Sequence, residues 1–267
     1  MKKLLSLALA LAICATAFVG CAPGGSSNSG AELAMITDIG TIDDKSFNQG
    51  TWEGVKKYAD EFKVTNKYYK PIEKTTDAYI ASIDLAVKNG AKVVVCPGFL
   101  FEQAVFKAQT THPDVKFIIL DGVPHSGDYV PVIANNTYSI FYAEQQSGFL
   151  AGYAAVKEGY TKLGFMGGVA VPPVIRFGYG FIQGADYAAA ELGLAKDALE
   201  IKYTYVGNFD ASPENQTIAS SWYSQGTELI FGCGGGVGNS VMAAAESAKA
   251  KVIGVDVDQS AESDTVI

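Results

Sequence analysis

Met35-Ile-Thr-Asp38-Ile-Gly40-Thr-Ile-Asp43-Asp44-Lys-Ser46-Phe47-Asn48-Gln49-Gly-Thr-Trp-Glu-Gly54 decides how this chain is read. A short apolar strand, residues 33–37, runs straight into a polar turn that carries glycine and three acids. A helix follows. In an open α/β sheet, ligands bind outside the carboxyl ends of the strands, so this turn is a candidate site. Asp38 lies one residue past the strand. Its carboxylate can accept hydrogen bonds from a ligand amine or hydroxyl, or it can cap its own turn. Asp43 and Asp44 read as acids placed to favour the helix N-terminus electrostatically. Ser46-Phe47-Asn48-Gln49 reads as a capping box opening a helix that ends near Phe62.

Outward from this stretch, short β-branched runs alternate with helical patterns. Ile80, Ile83 and Val87 share a helical face closed by Asn89-Gly90. Strands are expected over 92–96, 117–120 and 130–134, the last ending at Asn135-Asn136, and Phe101, Ala104, Val105 and Ala108 mark the helix between the first two. A long helix over 138–159 carries the small pair Gly148 and Gly152. The rhythm then restarts: strand 162–166, Gly167-Gly168, helix 173–192, strand 201–206, a helix capped by Ser212-Pro213, strand 229–231, helix 237–248 and strand 252–255. This pattern predicts an α/β protein with two doubly wound parallel sheets, an N-terminal domain over 31–137 and a C-terminal domain over 138–258. Strand ends at Asp38, Asp121, Asn135, Gly168, Gly234 and Asp256 would face the cleft between them.

Toward the N-terminus, Lys2 and Lys3 precede an apolar run over 4–19 that is short for a bilayer span. Residues 1–20 read as a signal peptide. Phe18-Val19-Gly20-Cys21 resembles a bacterial lipobox, in which Cys21 is lipidated. Residues 21–30, rich in Gly and Ser, read as a flexible tether. The body is thus expected on the extracytoplasmic face of a cell membrane, held there by lipid.

The precursor carries a net charge of −8 and a single arginine, Arg176. So acidic a chain is poorly suited to nucleic acid, whose phosphates need a basic surface. Two histidines and two mature cysteines, Cys96 and Cys233, fit neither a zinc site nor a catalytic triad. The cysteines read as buried free thiols. No metal, cofactor or catalytic residue is expected.

Within the expected cleft, Phe47 and Phe209 are aromatic residues beside polar neighbours, suited either to core packing or to stacking on a flat ligand. Gly232-Cys-Gly-Gly-Gly236 lacks the lysine of a phosphate loop and instead suits close approach of backbone to a neutral ligand at Gly235. Asp256 can accept two hydrogen bonds in a fork, the geometry of a sugar diol.

Together, Thr37-Asp38 to Gly50, Glu144-Gln-Gln-Ser-Gly-Phe-Leu-Ala-Gly152, Gly167-Gly168 and Gly254-Val-Asp-Val-Asp-Gln259 resemble the basic membrane protein family of bacterial lipoproteins. The resemblance runs from about Leu33 to the end. It implies a type I periplasmic-binding-protein fold with a hinge between two domains. It further implies an ABC-transporter component that binds purine nucleosides, works with permease subunits, and acts as a monomer rather than an enzyme. Phe47 and Phe209 would sandwich the base, Asp38 and Asn135 meet its polar edge with Asn48 and Gln49 nearby, and Asp256 hold the ribose. Asn136 is the alternative to Asn135.

The family continues past residue 267, so 259–267 reads as the start of a crossover in a truncated chain. Two other functions remain open. The same fold could bind a sugar or another small signal. Asp38-Ile-Gly-Thr-Ile-Asp-Asp is also similar in flavour to the acid turn of calcium-dependent nucleoside hydrolases, although Ile36 replaces the first acid and the spacing is one longer.

Overall fold

The computed structural model describes residues 30–195 and 197–267. The signal peptide, Cys21 and nearly all of the tether lie outside the described residues. Residues 31–267 pack as one body containing two parallel sheets.

The first sheet has the order β2-β1-β3-β4-β5, with β1 Leu33–Ile36, β2 Asn66–Tyr69, β3 Val93–Pro97, β4 Lys116–Leu120 and β5 Thr137–Ile140. Alternation along β1 assigns its two faces. Ala34 and Ile36 join a core with Tyr79, Ile83, Phe101 and Val105 from helices α2 (Thr76–Lys88) and α3 (Glu102–Thr111) and the short 3-10 turn before α3. Leu33 and Met35 point the other way, onto Val55 and Ala59 of α1 (Phe47–Phe62). Period-2 side-chain alternation makes this division automatic.

The second sheet has the order β7-β6-β8-β9: β6 Lys162–Gly167, β7 Glu200–Tyr205, β8 Leu229–Cys233 and β9 Lys251–Ile253. Helices α4 (Glu144–Lys157) and α5 (Pro172–Glu191) cover one face through Val156, Phe181 and Ala185 against Leu163, Phe165 and Phe231. Helices α6 (Pro213–Ser224) and α7 (Gly236–Ala248) cover the other through Ala219, Tyr223 and Val241 against Met166 and Ile230. The pair Gly148 and Gly152 has a specific purpose. A Cβ at Gly152 would stand 2.0 Å from the Phe181 carbonyl oxygen, and one at Gly184 1.9 Å from that of Phe149. Only glycine lets α4 and α5 cross with their backbones in contact.

Three readings are corrected. Residues 130–134 are not a strand. Gln109 holds them as a loop, donating from Nε2 to the Val132 carbonyl at 2.8 Å and accepting from the Ala134 N–H at 3.1 Å. The strand comes later, as β5, so the first sheet ends at Ile140, beyond the boundary at residue 137, and the long helix begins only at Glu144. The polar edge strand β2 was not expected at all. At the other end, Val266 bridges Val252 in parallel, placing the last residues beside β9.

Candidate functional site

The carboxyl ends of both sheets open on one cleft, the place where ligands bind in open α/β sheets. Asp38, Phe47, Asn48, Phe209, Gly235 and Asp256 all line it. Phe47 opens α1 in the first half. Phe209 follows β7 in the second, and its ring lies over Gly168, where a Cβ would stand 2.3 Å from it. A wider chamber bounded by Thr51, Tyr142, Glu144 and Ser147 continues from the cleft past Phe47, Asp121, Phe177 and Asp256.

Two expected residues are elsewhere. Asn135 is exposed and precedes β5. Because β5 starts after it, Asn135 sits at the amino end of the sheet, opposite the cleft. Its neighbour Asn136 is buried there, donating from Nδ2 to the carbonyls of Gln109, His112 and Val115. Gln49 turns back toward its own turn, accepting from the Lys45 N–H at 3.2 Å and donating to Glu53 at 2.9 Å.

The expected capping box is also replaced. Ser46 is the N-cap of α1 but makes no side-chain cap bond. Asp44 does that work instead: its carboxylate accepts from the N–H groups of Ser46, Asn48 and Gln49 at 2.9, 3.1 and 3.0 Å. A carboxylate here meets unpaired N–H groups and the positive end of the helix dipole together. The Ser46 hydroxyl is thereby free to donate to Asp256.

Asn48 links two acids. Its Nδ2 donates to Asp38 at 2.9 Å and to Asp44 at 3.1 Å, while its Oδ1 accepts from the Asp38 N–H at 3.4 Å. Asp38 also accepts from the Gly40 N–H at 2.6 Å. Burial pushes the Asp38 carboxyl up, against the pull of these donors. Asp256 is exposed to solvent on its cleft side, with protein packed closely around the rest of it. Desolvation pushes it up to about 6, Ser46 opposes this, and the charges of Asp44 and Glu144 add to the rise.

A further perturbed acid lies outside the expected set. Asp121 directly follows β4 with φ 55° and is buried, and its Oδ1 has no hydrogen-bond partner. Burial, then Glu144, then the charge of Asp256 push it up to about 8. Burial opposes ionisation of Glu144 too, but Arg176 and Asp121 hold it below the ordinary range. With Arg176 on Glu144, the charge of the pair is favoured on Glu144 and the neutral form on Asp121. Arg176 grips Glu144 through Nε at 2.6 Å and Nη2 at 3.1 Å, a charge-assisted fork. Asp121 was visible in the sequence as an acid at a strand end; its burial and its acid neighbours come from distant segments.

The first three amides of α7 are occupied. Gly236 donates to the Phe209 carbonyl at 2.9 Å, and Val237 and Gly238 to the carbonyls of Gly234 and Gly235. Both cysteines are free and buried, with Cys233 on the cleft wall. Among the described residues, no group of three or more His, Cys, Asp or Glu side chains is placed to hold a metal ion, and no helix is long and apolar enough to cross a membrane.

Residues 31–267 match the family described as "ABC transporter substrate-binding protein PnrA-like" (Bmp). The ABC transporter nucleoside-binding protein BmpA of Lactococcus lactis subsp. cremoris (strain MG1363) is 30% identical over 97% of this chain and 75% of its own length. Basic membrane protein A2 of Borrelia garinii subsp. bavariensis is 31% identical over 97% of this chain and 73% of its own. An ABC-transporter solute-binding protein from Aeropyrum pernix K1 superposes with a TM-score of 0.75 at 24% identity, covering 85% of this chain and 63% of that one. A sugar transporter structure from Clostridium phytofermentans superposes with a TM-score of 0.58 at 15% identity, over 84% of this chain. These two structural likenesses concern the fold: two parallel α/β sheets of the periplasmic-binding-protein kind.

Proposed function

Since the chain belongs to the Bmp family of PnrA-like ABC transporter substrate-binding proteins, we propose that its cleft binds a purine nucleoside and hands it on chemically unchanged. One observation carries this reading. Phe47 and Phe209 reach the same cleft from different halves, with the carboxylates of Asp38 and Asp256 beside them. An aromatic face on either side suits a flat base, and each stacked ring is worth about 1–3 kcal/mol. Asp38, fixed by Asn48 and Gly40, would accept from the base edge. Asp256 would accept from the ribose hydroxyls. Asp121, with its orphaned Oδ1, offers an acceptor beside them. The Lactococcus relative, nucleoside-binding by its name, favours this ligand over a free sugar.

In this reading the halves, divided after Ile140, act as two lobes that close on ligand, and the closed form is what the permease subunits of the transporter engage. Cys21 would carry the lipid that holds the protein at the extracytoplasmic face of the membrane. Mass spectrometry of the purified mature protein tests this: a diacylated Cys21 at the N-terminus is expected, and an unmodified or absent Cys21 would count against an anchor.

The ligand is tested by calorimetry on the full chain with inosine, guanosine, adenosine and ribose, with chromatography of each mixture for released base. Tight binding of a nucleoside recovered intact, with ribose inert, is expected. Released base would mean a hydrolase, and ribose binding equal to nucleoside would mean a sugar receptor. Phe47→Ala and Phe209→Ala should each weaken binding by about 1–3 kcal/mol. Affinity should also fall as pH drops below about 6, because protonating Asp256 removes an acceptor for the ribose. An affinity flat from pH 7.5 to 5 would remove Asp256 from the site.

A further inference from the structure

The acid-bearing turn that opens the site also reaches across it. Four polar contacts join residues 44–46 of the first half to the second. The Ser46 hydroxyl donates to Asp256. Gln259 donates from Nε2 to the Lys45 carbonyl at 2.5 Å, Asn239 on α7 from Nδ2 to the Asp44 carbonyl at 3.4 Å, and the Lys45 ammonium lies 3.2 Å from Glu262. Gln259 is only 2% exposed. Its Oε1 accepts from the Val255 N–H at 3.0 Å, so its amide is fixed at both ends. Gly254 makes the room, since a Cβ there would stand 2.4 Å from that Oε1.

Both sides of this contact are built with effort. Lys45 and Asp256 hold left-handed backbone, φ 60° and 68°, which is costly without glycine and persists only where the surroundings enforce it. On the first-half side the enforcer is Asp44, whose carboxylate takes the N–H groups of Ser46, Asn48 and Gln49 at the start of α1. On the second-half side it is Gln259.

We propose that Lys45-Ser46 is an interlobe latch, with Gln259 its positioning residue, which holds the two halves together over the cleft and raises ligand affinity by populating the closed form. Gln259 does not line the cleft; it acts through the Lys45 carbonyl. Ser46 couples the latch to the site, because the carboxylate it engages is the one assigned above to the ribose. A receptor whose competent form is only partly populated binds more weakly by that fraction, so each latch contact is felt as affinity without touching ligand. The ligand arm of this proposal rests on the nucleoside reading; the closure arm does not.

The test pairs small-angle X-ray scattering of the ligand-free full chain with inosine calorimetry. Gln259→Glu is nearly isosteric and keeps the acceptor for the Val255 N–H, but loses the donor to Lys45. It should give a more extended particle than wild type, return to the compact profile at saturating inosine, and bind inosine about three- to tenfold more weakly. Ser46→Ala should do the same, and Ser46→Thr, which keeps the hydroxyl, should restore the wild-type profile. Identical ligand-free profiles for wild type, Gln259→Glu and Ser46→Ala would overturn the latch, even if Ser46→Ala weakened inosine binding, since Ser46 would then act on the ligand alone. If inosine bound to none of the proteins while the profiles still separated as expected, the latch would stand and the ligand assignment would fall.

Discussion

The two sheets are built from similar strands and clothed differently. The second has a pair of helices on each face, and its central strand β8 is buried at every residue. The first has α2 and α3 on one face but α1 alone on the other. There an open groove runs between α1 and the strands, lined by Leu33, Val93, Val95, Ile118, Leu120 and Tyr138. Neighbours in sequence record the difference: on β4, Ile119 is fully buried while Ile118 is only partly so. Burial on these strands follows from how many helices lie above them, not from how apolar the strand is.

The comparison breaks most severely in the second half, where the packing is tightest. Gly152→Val puts a branched side chain where even a Cβ would meet the Phe181 carbonyl oxygen and the Ala185 amide nitrogen. The expected loss is 3 kcal/mol or more, on the order of the worst overpacking substitutions. Urea unfolding of the full chain measures it, and a loss below about 1 kcal/mol would mean that the α4–α5 crossing can spread at little cost. Phe117→Ala, on the covered face of the first sheet, should cost about 3–5 kcal/mol by leaving a cavity among buried side chains.

The same contrast explains what could be read in advance. Interior strands of the sheets, such as Val93–Pro97 and Leu229–Cys233, are plain apolar runs. The edge strands β2 (Asn-Lys-Tyr-Tyr) and β5 (Thr-Tyr-Ser-Ile) are not. The more apolar Val130–Ala134 outbid β5 on pattern alone, and nothing local announces the Gln109 amide that holds it as a loop. That one displacement moved Asn135 from the cleft end of a strand to the opposite end. Asp38, Phe47, Asn48 and Asp256 were legible as cleft residues because each follows a strand or opens a helix within one short motif. The roles of Asp44, Asp121 and Gln259 were not, since each depends on groups brought in by the fold: the bare N–H groups of α1, the Glu144–Arg176 pair, and the Lys45 carbonyl.

Asp121 tests whether the two halves respond as one, since it directly follows a first-sheet strand and feels the charge of Glu144 of the second half. Burial and the charge of Glu144 push its carboxyl up to about 8 in the folded protein, against about 3.9 in an unfolded chain. Between those values the folded state binds the extra proton, so this group's contribution to stability is largest near pH 4 and falls as pH rises toward 8. Asp121→Asn cannot ionise and can still donate to Glu144. Its stability relative to wild type should therefore improve steadily from pH 5 to 8.5, read as the difference in urea midpoints. Parallel curves for the two proteins across that range would mean that Asp121 is ionised in the folded state and the proton sits elsewhere.

The smallest effect is the sharpest comparison. Ile118 and Ile119 are adjacent, chemically identical and on opposite faces of one strand, so strand propensity and unfolded-state terms nearly cancel between them. Ile119→Thr places a hydroxyl in the core with Ile83, Phe101 and Phe117; it should cost more than about 2 kcal/mol through lost burial and an unpaired polar group. Ile118→Thr faces the groove beside Val95 and Tyr138, where water can reach the hydroxyl, and should cost about 1 kcal/mol or less. A matched loss at both positions would mean that the open face is covered in solution, and that the asymmetry between the sheets is not a property of the working protein.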